Sequence, residues 1–261
     1  EPLKLTVDTD IQFLIREELK KFQSIFRSKG SAAILMNVNN GDIISMVSYP
    51  DFDLNKRAKI VDVNYLNRAT KAVYELGSVF KTFTIAAGLE EGIIETETEF
   101  FNLEKKLKCG KSIIAEYDDK IPSNLTVEQI LIRSGNIGSV RIGQMLEIEK
   151  LKLFLEKIGV LYKIDFDIEE IGEPIPFQWG KCKLATVSFG HGITTTPLQL
   201  ARAYAIISNG GFEIKPTLIK NDLVKNKKNK RIIKEDVSKK INLILRKIVT
   251  TKEGTAEFAN I

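Results

Sequence analysis

The stretch SAAILMNVNNGDIISMVSYP, residues 31–50, constrains the fold more than any other part of this chain. Two largely apolar runs, Ala32–Val38 and Asp42–Ser48, flank Asn39-Asn40-Gly41. Asn and Gly accept the left-handed backbone that a tight hairpin turn demands, so the stretch predicts a pair of antiparallel strands. A helical pattern precedes it. After Asp8-Thr9, a suitable N-cap pair, Ile11, Leu14, Ile15, Leu19, Phe22 and Phe26 recur at helical spacing, and Gly30 is expected to end the helix. Such a helix can pack on one face of the sheet to which the hairpin belongs.

Further along, the periodicity is mainly helical. Ser78–Leu89, Val127–Ile132, Ile137–Leu146 and Lys150–Ile158 read as helices, with a loop-rich span at Phe100–Asn124. Pro197 suits a first helical position, and Leu198, Leu200, Ala201, Tyr204, Ala205 and Ile207 continue that helix to Asn209-Gly210-Gly211. A strand around Phe212–Ile219 and a helix around Val237–Thr251 complete the pattern. Helices inserted between hairpins point to an α+β fold, and no internal repeat or long linker interrupts it.

Composition serves mainly to exclude. No apolar run approaches the length of a membrane span, and no signal-peptide pattern opens the chain. It begins Glu1-Pro2-Leu3 and is read as a piece of a longer protein. The net charge of +5 reflects a lysine-rich solvated surface. Its densest basic run, Lys225–Arg231, has none of the interleaved aromatics of a nucleic-acid groove; a mobile surface loop is expected there, and no nucleic-acid partner. Cys109 and Cys182 lack metal-ligand spacing and there is a single histidine, so no metal site is expected. Whether the two cysteines pair depends on compartment and distance, and is left open.

The chemistry-bearing stretch is YELGSVFKTFTIAAGLEEG, residues 74–92. Ser78 and Lys81 stand at i and i+3, on one face of a helix that starts there. Serine needs a base to become a nucleophile, and a buried lysine becomes one when desolvation lowers its pKa. Gly77 lets the backbone turn sharply before the serine. Taken alone, the spacing fits the first turn of any core helix equally well. A second element, Ser134-Gly135-Asn136, lies between two predicted helices. Its hydroxyl suits a proton relay and its amide a contact to a substrate carbonyl, although Ser, Gly and Asn are also ordinary capping residues.

The two elements in this order, with their surroundings, resemble the transpeptidase domain of class B penicillin-binding proteins, of the septal, cell-division type. LTVDTDIQ is similar to the family's entry to its first helix and GSAAILMNVNNGDIISMVSYPDFDLN to its first hairpin. NRATKAVYELGSVFKTFTIAAGLEEG is similar to its nucleophile segment, LTVEQILIRSGNIGSVRIGQML to its second motif and SFGHGITTTPLQLARAYAIISNGG to the loop and helix beyond. The resemblance implies a β-lactamase/transpeptidase-like α+β domain over residues 1–261, with an antiparallel sheet, flanking helices and a helical subdomain. It assigns the nucleophile to Ser78, the general base to Lys81, a proton relay to Ser134 and substrate binding to Asn136. It further implies a D,D-transpeptidase that cross-links peptidoglycan stem peptides through an acyl-enzyme, is a target of β-lactams and uses no metal or organic cofactor. The parent would be a single-pass inner-membrane protein with this domain in the periplasm and division-machinery proteins as partners.

The family's third motif, Lys-Thr/Ser-Gly on a strand beside the serine, is the point of departure. Lys-x-Gly occurs at Lys108-Cys109-Gly110 and Lys252-Glu253-Gly254. The first is misplaced. The second follows a helical pattern and puts a glutamate where a hydroxyl is required, while Gly254-Thr255 and Ala259 fit a stretch that precedes the true motif. The chain is therefore expected to stop short of that motif. A class D-like β-lactamase, a penicillin sensor and a non-catalytic division scaffold stand as alternatives. His191, between two glycines, is assigned to loop packing rather than to a serine–histidine pair, and Phe177 and Trp179 likewise to loop packing.

Overall fold

A computed structural model describes residues 2–53, 55, 65–220 and 229–260. The elements run α1 (Thr9–Phe26), β1 (Ser31–Met36), β2 (Ile43–Tyr49), α2 (Lys81–Glu90), β3 (Glu99–Phe100), β4 (Lys106–Cys109) and β5 (Ser112–Ala115). They continue with β6 (Leu125–Thr126), α3 (Val127–Ile132), α4 (Asn136–Lys157), α5 (Lys181–Val187), α6 (Pro197–Ser208) and α7 (Glu235–Thr250). Helices and antiparallel strand pairs alternate, so the architecture is α+β as expected. The expected loop at Lys225–Arg231 lies largely outside the described residues. Among the described residues no helix is long and apolar enough to cross a membrane.

Two compact units emerge. The first comprises Glu1–Tyr74, Ile158–Ile175 and Thr194–Lys230. Here Asp8 caps α1 by accepting the Asp10 and Ile11 amides, each at 3.0 Å. The helix ends at Arg27, which takes the left-handed conformation, rather than at Gly30. Gly30 serves another purpose: a Cβ there would fall 2.2 Å from Nε of Arg68. The hairpin forms with Ser31 opposite Tyr49 and a register shift between Leu35 and Met36. Gln12 pins α1 to β2, donating to the Met46 carbonyl at 2.8 Å and accepting from the Met46 amide at 2.9 Å and the Ser45 hydroxyl at 2.8 Å. Ile43, Phe166, Ile171 and Leu198 form the apolar centre, joined by Ile34, Met36 and Met46.

The expected strand at Phe212–Ile219 does not form as such. The segment makes isolated bridges instead, Thr217 to Asp42 and Ile219 to Leu5. Pro216 has no N–H to give to a ladder, and the residues after it turn to different partners.

The second unit comprises Glu75–Lys157, Pro176–Ile193 and Arg231–Ile261. Its centre is α2, buried at every position from Lys81 to Leu89, with α4, α7 and α3 packed around it. Phe80 and Phe83 meet edge to face at 5.3 Å between centroids. Truncating a ring so enclosed costs about 3–5 kcal/mol. The two helices expected at Ile137–Leu146 and Lys150–Ile158 both form, as the two halves of α4 on either side of a kink at Glu147, where φ is 61° and ψ 174°. The span read as loop-rich holds the β4–β5 hairpin, and Cys109 at its tip is bonded to Cys182 of α5 across a Cα–Cα distance of 5.4 Å.

Candidate active site

All four candidate residues fall in the second unit. Gly77, with φ at 64°, opens a 3₁₀ turn, Gly77–Phe80, which leads directly into α2. Ser78 is exposed in that turn, whereas Lys81, one turn on, is fully buried. The contrast follows from the sequence. Phe80 and Phe83 are buried, while Gly77 and Ser78, both small, precede α2 at its open end. The turn is held from above by the loop after α5. Gly190, with φ at 85°, lies so close that a Cβ there would sit 1.9 Å from the Gly77 carbonyl oxygen. Thr84 of α2 donates to the Ser188 carbonyl at 2.9 Å and ties down the same loop.

Lys81 reaches the second motif. Its Nζ donates to the Ser134 carbonyl at 2.5 Å and to the Ser134 hydroxyl at 2.8 Å. Burial lowers its pKa to about 8, against the opposing pull of the Glu116 carboxylate, which favours the charged form. Ser134 holds a positive φ of 55°, a conformation uncommon for a residue with a side chain and often found where function requires it. Asn136 begins α4, and its side-chain Nδ2 donates to the Ala115 carbonyl at 2.8 Å. The structure therefore joins Lys81 to Ser134 directly, sets Ser78 one turn from Lys81, and places Asn136 two residues beyond Ser134.

One residue of this cluster has no counterpart in the sequence reading. Glu116, just after β5, accepts the Asn136 amide at 2.6 Å and the Ile137 amide at 2.9 Å. Nothing in the sequence flags it, because its partners lie about twenty positions away and its neighbours are an alanine and a tyrosine.

The remaining candidates take ordinary places. His191 Nδ1 lies 3.0 Å from Glu75 and its ring stacks on Phe189, and both His191 and Glu75 are exposed. Phe177 packs against Trp179 at 5.0 Å and beneath the Lys183 ammonium at 4.4 Å. Lys252-Glu253-Gly254 lies in a turn after α7, not in a strand, and Glu253 pairs with Arg133 at 2.6 Å. Among the described residues no group of three or more His, Cys, Asp or Glu is gathered as a metal would require.

A serine on a glycine turn, a buried lysine and a second serine in its reach, set on an α+β frame, are the groups that nucleophilic catalysis by serine would require. The chain belongs to the penicillin-binding protein transpeptidase domain family, whose model matches residues 31–261. It is 32% identical over 255 residues to the probable peptidoglycan D,D-transpeptidase FtsI of Caulobacter vibrioides, covering 97% of this chain and 43% of that protein. It is 33% identical over 247 residues to the peptidoglycan D,D-transpeptidase FtsI of Buchnera aphidicola subsp. Baizongia pistaciae, covering 91% and 41%. Stage V sporulation protein D of Bacillus subtilis is 31% identical over 272 residues, covering 98% and 42%. The chain thus spans less than half the length of each of these relatives. Among solved structures, the apo TP domain of Burkholderia pseudomallei penicillin-binding protein 3 superposes with a TM-score of 0.86 at 24% identity, covering 98% of this chain and 73% of that one.

Proposed function

We propose that residues 1–261 form a transpeptidase domain in which Ser78 is the nucleophile, Lys81 its base, Ser134 a proton relay and Asn136 a substrate contact. The observation that carries this reading is the buried Lys81 ammonium on the Ser134 hydroxyl at 2.8 Å, one turn from an exposed serine. A lysine of pKa about 8 is neutral in about a tenth of molecules at pH 7, enough to serve as a general base. A neutral amine has two N–H donors and one lone pair. The Ser134 carbonyl and hydroxyl engage the donors, which leaves the lone pair for the Ser78 proton.

The reaction follows from this arrangement. Ser78 Oγ bonds to the carbonyl carbon between the two terminal D-alanines of a stem peptide as its proton passes to Lys81. Lys81 returns a proton through the Ser134 hydroxyl to the leaving nitrogen, the C–N bond breaks, and D-alanine departs. An amine from a second stem then attacks the acyl-enzyme, restores the Ser78 hydroxyl and completes the cross-link. A β-lactam follows the same first step, but its cleaved ring stays attached and the serine remains acylated. The names of the relatives, peptidoglycan D,D-transpeptidase among them, support the substrate class. We place the domain in the periplasm, on a parent anchored in the inner membrane and working with division-machinery proteins.

Intact mass with and without a penicillin tests the reading. A stable adduct of one drug per chain is expected, lost in Ser78→Ala. Turnover of the drug without an accumulating adduct would indicate a hydrolase, and no adduct on the full-length protein would leave a scaffold.

A further inference from the structure

Glu116 lies outside both motifs, yet it holds one of them. The first amides of a helix have no intrahelical carbonyl to bond, and the first two of α4 point at this carboxylate, Asn136 to Oε2 at 2.6 Å and Ile137 to Oε1 at 2.9 Å. Negative charge at a helix N-terminus is also favoured by the aligned peptide dipoles. The preceding residue, Ala115, takes the Asn136 side-chain amide through its carbonyl at 2.8 Å. One dipeptide thus fixes both the backbone and the side chain of Asn136. The turn's own hydroxyl is engaged elsewhere, since Ser134 Oγ accepts from Lys81 at 2.8 Å.

The second link is charge. The carboxylate of Glu116 acts on the Lys81 ammonium across the motif. Charged groups on the helices packed around α2 have partners of their own. Glu128 of α3 pairs with Lys247 of α7 and Arg141 of α4 with Glu104; Arg133, just after α3, pairs with Glu253. Lys240 of α7 lies between Asp236 and Glu95. Around Glu116 itself stand Tyr117, Asp118 and Arg133, which share its electrostatic surroundings.

We propose that Glu116 is a positioning residue for acylation: it locks the Ser134-Gly135-Asn136 turn, which Lys81 engages through the Ser134 carbonyl and hydroxyl, and keeps a negative charge in the surroundings of the Lys81 ammonium. The inference rests on the reading of Lys81 as the base.

The test is the rate of acylation by a fluorescent penicillin between pH 6 and 10, in the full-length protein, for wild type, Glu116→Gln and Glu116→Asp. The wild-type rate rises as Lys81 loses its proton, with its midpoint near the Lys81 pKa of about 8. Removing a negative charge makes an ammonium easier to deprotonate, so the rising limb of Glu116→Gln moves to lower pH. Its plateau falls by roughly ten- to a hundredfold, the effect of a weakened charge-assisted hydrogen bond. Glu116→Asp keeps the charge, so its limb stays in place while its plateau falls as the shorter side chain loses reach. A Glu116→Gln limb that coincides with wild type overturns the proposal, because a merely structural cap moves only the plateau. Should Glu116→Gln fail to fold by circular dichroism, Glu116→Asn, equally uncharged, is compared with Glu116→Asp, which has the same reach: a limb at lower pH for Glu116→Asn supports the proposal, and coincident limbs overturn it. A wild type that forms no adduct, or a Ser78→Ala variant that keeps one, removes the catalytic reading and this inference with it, and is seen before any Glu116 variant is made.

Discussion

At the start of α6, Thr196 Oγ1 accepts the Gln199 amide at 3.1 Å, and Gln199 Oε1 accepts the Thr196 amide at 3.1 Å, so the cap is complete within four residues. At the start of α4 the flanking residues Ser134, Gly135 and Asn136 leave that task to Glu116, some twenty positions upstream. The difference has a physical reason. A side chain that caps its own helix has committed its oxygen, and the Ser134 hydroxyl is committed to Lys81 instead. Helix α6 is capped by its own residues; α4 begins at a place where local stabilisation has been handed to another segment.

Three experiments bear on this contrast. Ser134→Ala should lower the rate of penicillin acylation by about 10²–10⁴-fold, the usual range for losing a proton-transfer partner, with little change in melting temperature because Glu116 still caps α4. A fall of less than tenfold, measured by stopped-flow fluorescence, would mean that the hydroxyl carries no proton. Replacing both Cys109 and Cys182 by serine opens a link spanning 73 residues and should cost roughly 4 kcal/mol of stability on chain-entropy grounds. The same change frees the hairpin that leads into Glu116. Hydrogen exchange should then speed up at the Asn136 and Ile137 amides while the Gln199 amide keeps its protection; equal loss at both helices would erase the distinction. Thr196→Ala is expected to have the smallest effect, about 1 kcal/mol, lowering the melting temperature by roughly 2–4 °C and leaving acylation as it was. If it slowed acylation as much as Ser134→Ala, the two helix starts would not differ in kind.

The same division governs what the sequence reveals. Helix α3 was legible to the residue, Val127–Ile132, because its capping box of Thr126 and Gln129 is local. The β1–β2 hairpin was legible within a residue or two at each end, since Asn39-Asn40-Gly41 fixes its turn. Ser78, Lys81 and Ser134 were legible as residue types in order, and the resemblance supplied the reason to connect them. What escaped depends on contacts distant in sequence. Strand β4 alternates lysines with Leu107 and Cys109 over only four residues, β5 shows no alternation, and the hairpin is held at its tip by a disulfide that no spacing rule reveals. Helix α5 has seven residues and no side-chain cap. Glu116 is an acidic residue in an exposed-looking stretch until its partners on α4 are known.

The close approach of Gly190 to Gly77 has a consequence for how variation in this protein would be interpreted. Position 190 contributes by having no side chain, since any Cβ would press on the carbonyl that shapes the serine's turn and on the Phe80 Cβ, 2.9 Å away. A mutational scan scored on drug binding would rank it beside Ser78 and Lys81, although it offers no group that reacts, donates or accepts through a side chain. Its signature would be intolerance to every substitution alike, alanine included, where a chemical residue is partly spared by its nearest analogue. That pattern separates a position reserved for empty space from one reserved for chemistry.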